Sequence, residues 1–340
     1  MAGTWETQDK VLPGAYINIR TNEPLSITPG DRGIAVVLQE MSVGEDGQIY
    51  TITATEQAYP EKATAEDKKL VAEALKKAKT VLVYKLPETH DADAVNAALE
   101  KLKTVQFNTL CYPYDTEPEA ASSNKTVITE WIKSMREEEG VKCQAVLANH
   151  EADSEGIINV VQGVILTDGT RVAGATAGAG ITTSNTGMKY MGAVDVSPRM
   201  TKTEMETAVR AGKLIFKVDS AQNVTIVSDI NSLTTTMPEK GKFFTKNRVI
   251  RTLDNLANDI SLIFESNYVG QANNTEDGRA LLRAGLVDYL TVLQNMAAIQ
   301  NFETDDVTVV AGTDSDAVVV DVFVQPVDSV EKIYITVNLS

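Results

Sequence analysis

Residues 80–86, TVLVYKL, residues 107–114, FNTLCYPY, and residues 141–148, VKCQAVLA, are three short apolar runs, each separated from the next by an amphipathic helical pattern. Asp91 is placed to cap a helix whose inner face is Val95, Ala98, Leu99 and Leu102. Ser122 or Ser123 is placed to cap the next, with Val127, Ile128, Trp131, Ile132 and Met135 facing inward and Gly140 as its stop. A preceding helix within residues 62–79 aligns Leu70, Val71, Ala74, Leu75 and Ala78. Strands that are apolar throughout and joined by helices belong to a parallel sheet covered on both faces. The pattern predicts a βαβαβ unit.

Downstream the texture changes. A turn is expected at Asp168-Gly169, followed by the small-residue run RVAGATAGAG (171–180), which suits close helix packing. A helix capped by Thr203, with Glu206 three residues on, ends at Gly212. KLIFKV (213–218) and VTIVSDI (224–230) then read as a β-hairpin around DSAQN. Helices are predicted over 248–268 and 276–300. Val249, Leu253, Leu256, Ile260 and Ile263 share one face of the first; Leu282, Leu286, Tyr289, Leu293 and Met296 share one face of the second. They are expected to pack on the strand-like runs that follow as an α+β unit. The fold class is therefore α/β plus α+β: a central βαβ-type sheet domain and a C-terminal α+β domain, with extended β-strand arms at both ends. The expected divisions are an arm at 1–22, the sheet domain at 23–239, the C-terminal domain at 240–325 and an arm at 326–340.

The 340 residues are ordinary for a globular chain, 43% hydrophobic and 23% charged. A formal charge of −16 repels nucleic acid and anionic membrane. No run approaches the roughly 18 apolar residues of a spanning helix, and the start, MAGTWETQDK, lacks a signal-peptide layout, so a cytosolic protein is expected. Cys111 and Cys143 each lie inside an apolar run and read as buried thiols.

Catalytic patterns are not found. The two histidines, His90 and His150, occupy matching loops, THDAD (89–93) and NHEAD (149–153), each after a strand, and read as structural. Ser184 lacks the neighbours of a GxSxG elbow, and the glycines from Gly174 to Gly180 fit neither phosphate-binding pattern. Acidic groups at Glu137–Glu139, at Glu303, Asp305 and Asp306, and at Asp314 and Asp316 do not follow an EF-hand layout. No catalytic residue, cofactor or metal is expected.

The ends carry more information. In residues 331–339, Ile333, Ile335, Val337 and Leu339 alternate with Lys332, Tyr334, Thr336 and Asn338, a strict period of two. A terminal strand of this kind calls for a partner strand. Near the other end Ala15, Ile17 and Ile19 alternate with Tyr16, Asn18 and Arg20. The two pieces either pair with each other or are donated to neighbouring copies, and donation between identical subunits builds open polymers. A second feature is the basic stretch Lys240, Lys242, Lys246, Arg248 and Arg251, free of acidic residues in an acidic chain.

PGAYINI (13–19), AVVLQEMSVG (35–44), the segment 171–196, the segment 208–235, NRVIRTLDNLANDI (247–260), the segment 268–290 and QPVDSVEKIYITVNLS (325–340) together resemble the contractile tail sheath proteins of bacteriophages. The nearest form is the short one of phages and phage-tail-like bacteriocin particles of Gram-positive bacteria. The resemblance implies a structural subunit, not an enzyme. Such subunits form stacked hexameric rings around an inner tube and contract to drive it through a bacterial envelope, with baseplate and tail terminator proteins as further partners. It implies assembly in the bacterial cytoplasm, followed by life in a phage tail or a released particle. It also implies that Tyr16, Ile17, Asn18, Ile19 and Ile333, Tyr334, Ile335, Thr336, Val337 form inter-subunit strands, and that Lys242, Lys246, Arg248 and Arg251 face the tube. The alternative, from the βαβ region alone, is an α/β hydrolase-like enzyme or its inactive relative.

Overall fold

Alternate residues of one strand feed two different cores. In β1 (Ile34–Glu40), Ala35 and Val37 join one apolar cluster while Val36 and Leu38 join another on the opposite face. The computed structural model describes residues 32–338 except 117, 118, 164, 191 and 239. After β1 come β2 (Ile49–Thr53), α1 (Ala65–Leu75), β3 (Thr80–Leu86), α2 (Ala92–Leu102), β4 (Thr109–Tyr112), α3 (Ala121–Glu137) and β5 (Gln144–Ala148). Next are β6 (Ile157–Val160), α4 (Ile165–Gly178), α5 (Lys202–Arg210) and β7 (Lys213–Leu214). The strands form one seven-stranded sheet in the order β2-β3-β1-β4-β5-β6-β7. Every neighbouring pair is parallel except the edge strand β2 against β3.

Helices α1 and α4 cover one face through Val71, Ala74, Val172, Ala173 and Ala177. Helices α2 and α3 cover the other through Val95, Leu99, Leu102, Ile128 and Ile132. The small-residue run is the reason α4 fits so close to α1. A Cβ at Gly174 would stand 2.2 Å from the Ala74 carbonyl oxygen, and one at Gly178 would stand 2.0 Å from that of Lys77. The turn expected at Asp168-Gly169 is absent, because both residues are inside α4. There Asp168 occupies the first turn, where the helix dipole favours a carboxylate.

Two caps differ from the sequence reading. The α2 cap is Asp91 as expected, its carboxylate accepting the N–H groups of Asp93 and Ala94 at 3.1 Å. Helix α3 instead starts after Ala120 with no side-chain cap, and the Ser123 hydroxyl donates to the Ala120 carbonyl at 2.8 Å. Helix α5 is capped by Thr201 and Glu204, two residues ahead of the expected pair. Both pairs have the T-x-x-E spacing, but Thr203 is within the helix, its carbonyl accepting from the Thr207 hydroxyl.

The hairpin follows as β8 (Phe216–Val218) and β9 (Val224–Ile226), its turn fixed by Asp219, which accepts from the N–H groups of Ala221 and Asn223. The remaining elements are α6 (Asn247–Asn267), α7 (Glu276–Asn295), β10 (Ile299–Gln300), β11 (Val307–Ala311), β12 (Val318–Val322) and β13 (Gln325–Pro326). Leu282, Leu286, Tyr289, Leu290 and Leu293 of α7 build a third core with Ile299, Phe302 and Val307, against which Leu256 and Ile260 of α6 rest. The buried side of α6 is not the apolar stripe the spacing predicts. It is largely polar: Asn247, Arg248, Arg251, Thr252, Asp254, Asn255 and Asp259 are all buried, beside Val249, Ile250 and Ile263.

Candidate interaction sites

In a parallel α/β sheet, small ligands bind beyond the carboxyl ends of the strands. Both histidines are there, His90 after β3 and His150 after β5, with β1 and β4 between their strands. The buried His90 ring bonds Tyr112 Oη at 2.9 Å through Nε2 and faces the Pro87 carbonyl and the Glu40 carboxylate, each 3.3 Å from Nδ1. Tyr112 Oη also accepts from the Asn124 side-chain amide at 2.9 Å. The His150 ring meets the Thr129 hydroxyl at 3.0 Å, and that hydroxyl donates back to the Lys125 carbonyl of its own helix. The thiols offer no activated nucleophile, since burial pushes both Cys111 and Cys143 up to about 12. Ser184 Oγ accepts the Thr186 N–H in the loop after α4.

Burial pushes both histidines below their ordinary value, with the Lys125 charge adding to it at His150. A depressed histidine is neutral in the fold and takes up its proton more readily when unfolded. Its stabilising contribution is full above the unfolded value of about 6.5 and declines as the pH falls toward the folded value. The midpoint of urea unfolding should therefore drop between pH 7 and pH 5.5, with a shallower drop in His90→Gln. A wild-type midpoint that stays level over that interval would contradict the assignment.

The basic stretch does not form one surface. Arg251 is 0% exposed, and its Nη2 donates to Asp229 Oδ2 at 2.8 Å and to the Thr183 carbonyl at 2.6 Å. Asp229 also accepts from Asn185 N–H and the Asn247 amide, and although burial opposes its charge, Arg251 holds its carboxyl below the usual range. Arg248 is buried too, near the Ala297 carbonyl at 3.5 Å. Lys246 pairs with Glu331, and Lys240 with Glu155 at 2.9 Å. Lys242 is exposed. Arg248 and Arg251, two of the four cations expected to face the tube, are turned into the fold. The same face of α6 sends Asp254 to Arg136 of α3 in a bidentate pair at 2.7 and 2.8 Å, and Asn258 to both backbone groups of Lys142 at 2.9 Å.

Glu331 marks where the chain leaves the body. It accepts from the Thr186 hydroxyl at 2.7 Å besides pairing with Lys246. Beyond it, Ile333, Tyr334, Ile335 and Val337 are 73%, 91%, 79% and 77% exposed, Thr336 is exposed as well, and residues 331–338 join no strand among the described residues. Tyr16, Ile17, Asn18 and Ile19 lie outside the described residues. A cleft of about 870 Å³ opens beside Glu331, between α5, the segment 227–236 and the helical turn Lys242–Thr245. Composition gave no hint of this cleft, because its walls come from separate parts of the chain.

Family models match three consecutive parts of the chain. These are the tail sheath protein Gp18 domain III N-terminal region over residues 32–86, the phage tail sheath protein central domain over 88–232 and the phage tail sheath C-terminal domain over 239–340. The crystal structure of the sheath tail protein of Desulfitobacterium hafniense is similar over 95% of this chain and 99% of that one, with 30% identity and a TM-score of 0.80. The tail sheath protein of Clostridium phage phiCD119 is 37% identical over 61% of this chain and 58% of its own length. The helical sheath of the anti-feeding prophage in its contracted state shares the fold at 13% identity, with a TM-score of 0.73 over 97% of this chain and all of that one. The chain spans about half the length of the curated relatives it matches.

Proposed function

The chain belongs to the phage tail sheath family, and from that premise we propose that it polymerises around an inner tube and contracts to drive the tube through a bacterial envelope. The observation that carries this reading is the run after Glu331. There Ile333, Ile335 and Val337 alternate with Tyr334 and Thr336, and all five stand exposed on a chain whose central strands β1, β3, β4, β5 and β6 are largely buried. Such a run is stabilised by pairing with an edge elsewhere, and between identical copies that pairing is heterologous. The arm at 1–22, the domains at 23–239 and 240–325 and the arm at 326–340 are the parts this reading uses. Stacked hexameric rings, a tube, a baseplate and a terminator protein are the partners it requires. Assembly would take place in the bacterial cytoplasm, before incorporation into a tail or a released tail-like particle.

The reading assigns no chemistry to the strand carboxyl ends. Both histidine rings are engaged by Tyr112 and Thr129, and the hydrolase-like alternative finds no support there. The test is negative-stain microscopy of the purified chain alone and co-expressed with its tube protein. Helical tubes are expected. A compact monomer at high concentration in both samples would overturn the proposal.

A further inference from the structure

The cleft beside Glu331 has an apolar floor and a cationic rim. Ile230 and Leu233 are buried in it, and Val209 and Val227 are half-buried. Six cations line it against two carboxylates, in a chain of net charge −16. Two of the cations are paired, Lys246 with Glu331 and Lys202 with Glu206 at 3.8 Å. The other four, Arg210, Lys217, Lys242 and Lys332, are exposed. They converge from α5, β8, the helical turn before α6 and the C-terminal run, which are distant in sequence.

Resting on the sheath reading, we propose that this cleft receives an acidic surface segment of a second copy of the chain. Charge is the first argument. With a net charge of −16 and six of its cations in the cleft, the rest of the molecule carries a large excess of carboxylates for a neighbour of the same sequence to offer, and opposite potentials steer and register the contact. Continuity is the second. Glu331 and Lys332 belong to the cleft wall, so a neighbour that pairs with residues 333–338 is carried past the rim. Symmetry is the third. A basic cleft and an acidic segment are different surfaces of one chain, so their contact is heterologous and extends a polymer without closing a dimer. A long polyanion suits the cleft poorly, because it must also lie across the acidic surroundings. A segment bearing a few carboxylates need not.

The test uses the full-length triple variant Arg210→Glu, Lys217→Glu, Lys242→Glu, all exposed positions, with circular dichroism and thermal unfolding to establish its fold. The yield of sedimentable polymer should fall by about tenfold or more at low salt, and wild-type assembly should weaken as salt rises. In polymer mixed from ¹⁴N and ¹⁵N copies, carbodiimide should link Lys217 or Lys242 to carboxylates of a different copy. A folded triple variant that polymerises like wild type would overturn the cleft contact and leave the sheath reading intact. A defect seen only with the tube protein present would reassign the cleft to the tube. Rim-dependent binding of a short double-stranded DNA would reassign it to nucleic acid. Wild-type chain that never polymerises, with or without tube, would remove the sheath reading and this contact with it.

Discussion

Removing Ile333–Ser340 should leave a folded chain that no longer forms tubes. The cut falls after the residues that hold the run to the body, since Glu331 keeps its contacts with Thr186 and Lys246. Side chains that are 73–91% exposed contribute little to the isolated fold, so the unfolding free energy should change by no more than about 0.5 kcal/mol. In the polymer the same residues count heavily. Burying Ile333, Ile335 and Val337 against a neighbour is worth roughly 1.5–3 kcal/mol each, and each ladder hydrogen bond adds about 0.5–1.5 kcal/mol. Losing all of these at every subunit contact is enough to abolish assembly at micromolar concentration. The point variant Ile335→Asp keeps the chain length and should weaken assembly severely, because it puts a charge on the apolar face of the strand. Tubes of normal yield from the truncated chain would show that the run is not an assembly strand.

Breaking the Arg136–Asp254 pair should cost the fold about 3–5 kcal/mol, the usual penalty for stranding one buried charge. Both side chains are buried, and Arg136 also donates to the Cys143 carbonyl at 2.9 Å. Burial opposes the guanidinium charge, but Asp254 and, behind it, Glu155 hold its pKa above the ordinary range. Arg136→Met leaves the Asp254 carboxylate without its bidentate donor, and Asp254→Leu leaves the guanidinium without its acceptor. The double variant removes both charges, so its loss should be well below the sum of the two single losses. Urea unfolding of the four proteins measures this directly. Additive losses would mean that the pair does not couple α3 to α6. With Asn258 on Lys142 and Arg251 on Asp229, the pair ties α6 to α3 and to the segments around Lys142 and Asp229.

The sheet was legible in the sequence because its signal is local. Apolar runs at 80–86, 109–112 and 144–148, separated by amphipathic helices, allow little besides a parallel sheet, and RVAGATAGAG declared a close helix contact. Cap positions were less secure, since two T-x-x-E pairs overlap at Thr201 and Thr203 and local spacing does not choose between them.

The layering of the central domain, the hairpin around Asp219 and the strand alternation of the C-terminal run were readable from residue order, because each depends on neighbours a few residues apart. The tertiary structure alone decided what α6 buries. Asn247, Arg251, Asp254 and Asn258 fall at spacings of four, three and four, a stripe that composition assigns to water. It faces inward because Asp229, Arg136 and the Lys142 backbone, supplied by other parts of the chain, meet it with opposite charge and matching hydrogen bonds. A buried ion pair is stable only when both partners are present, and one helix can reveal only its own half.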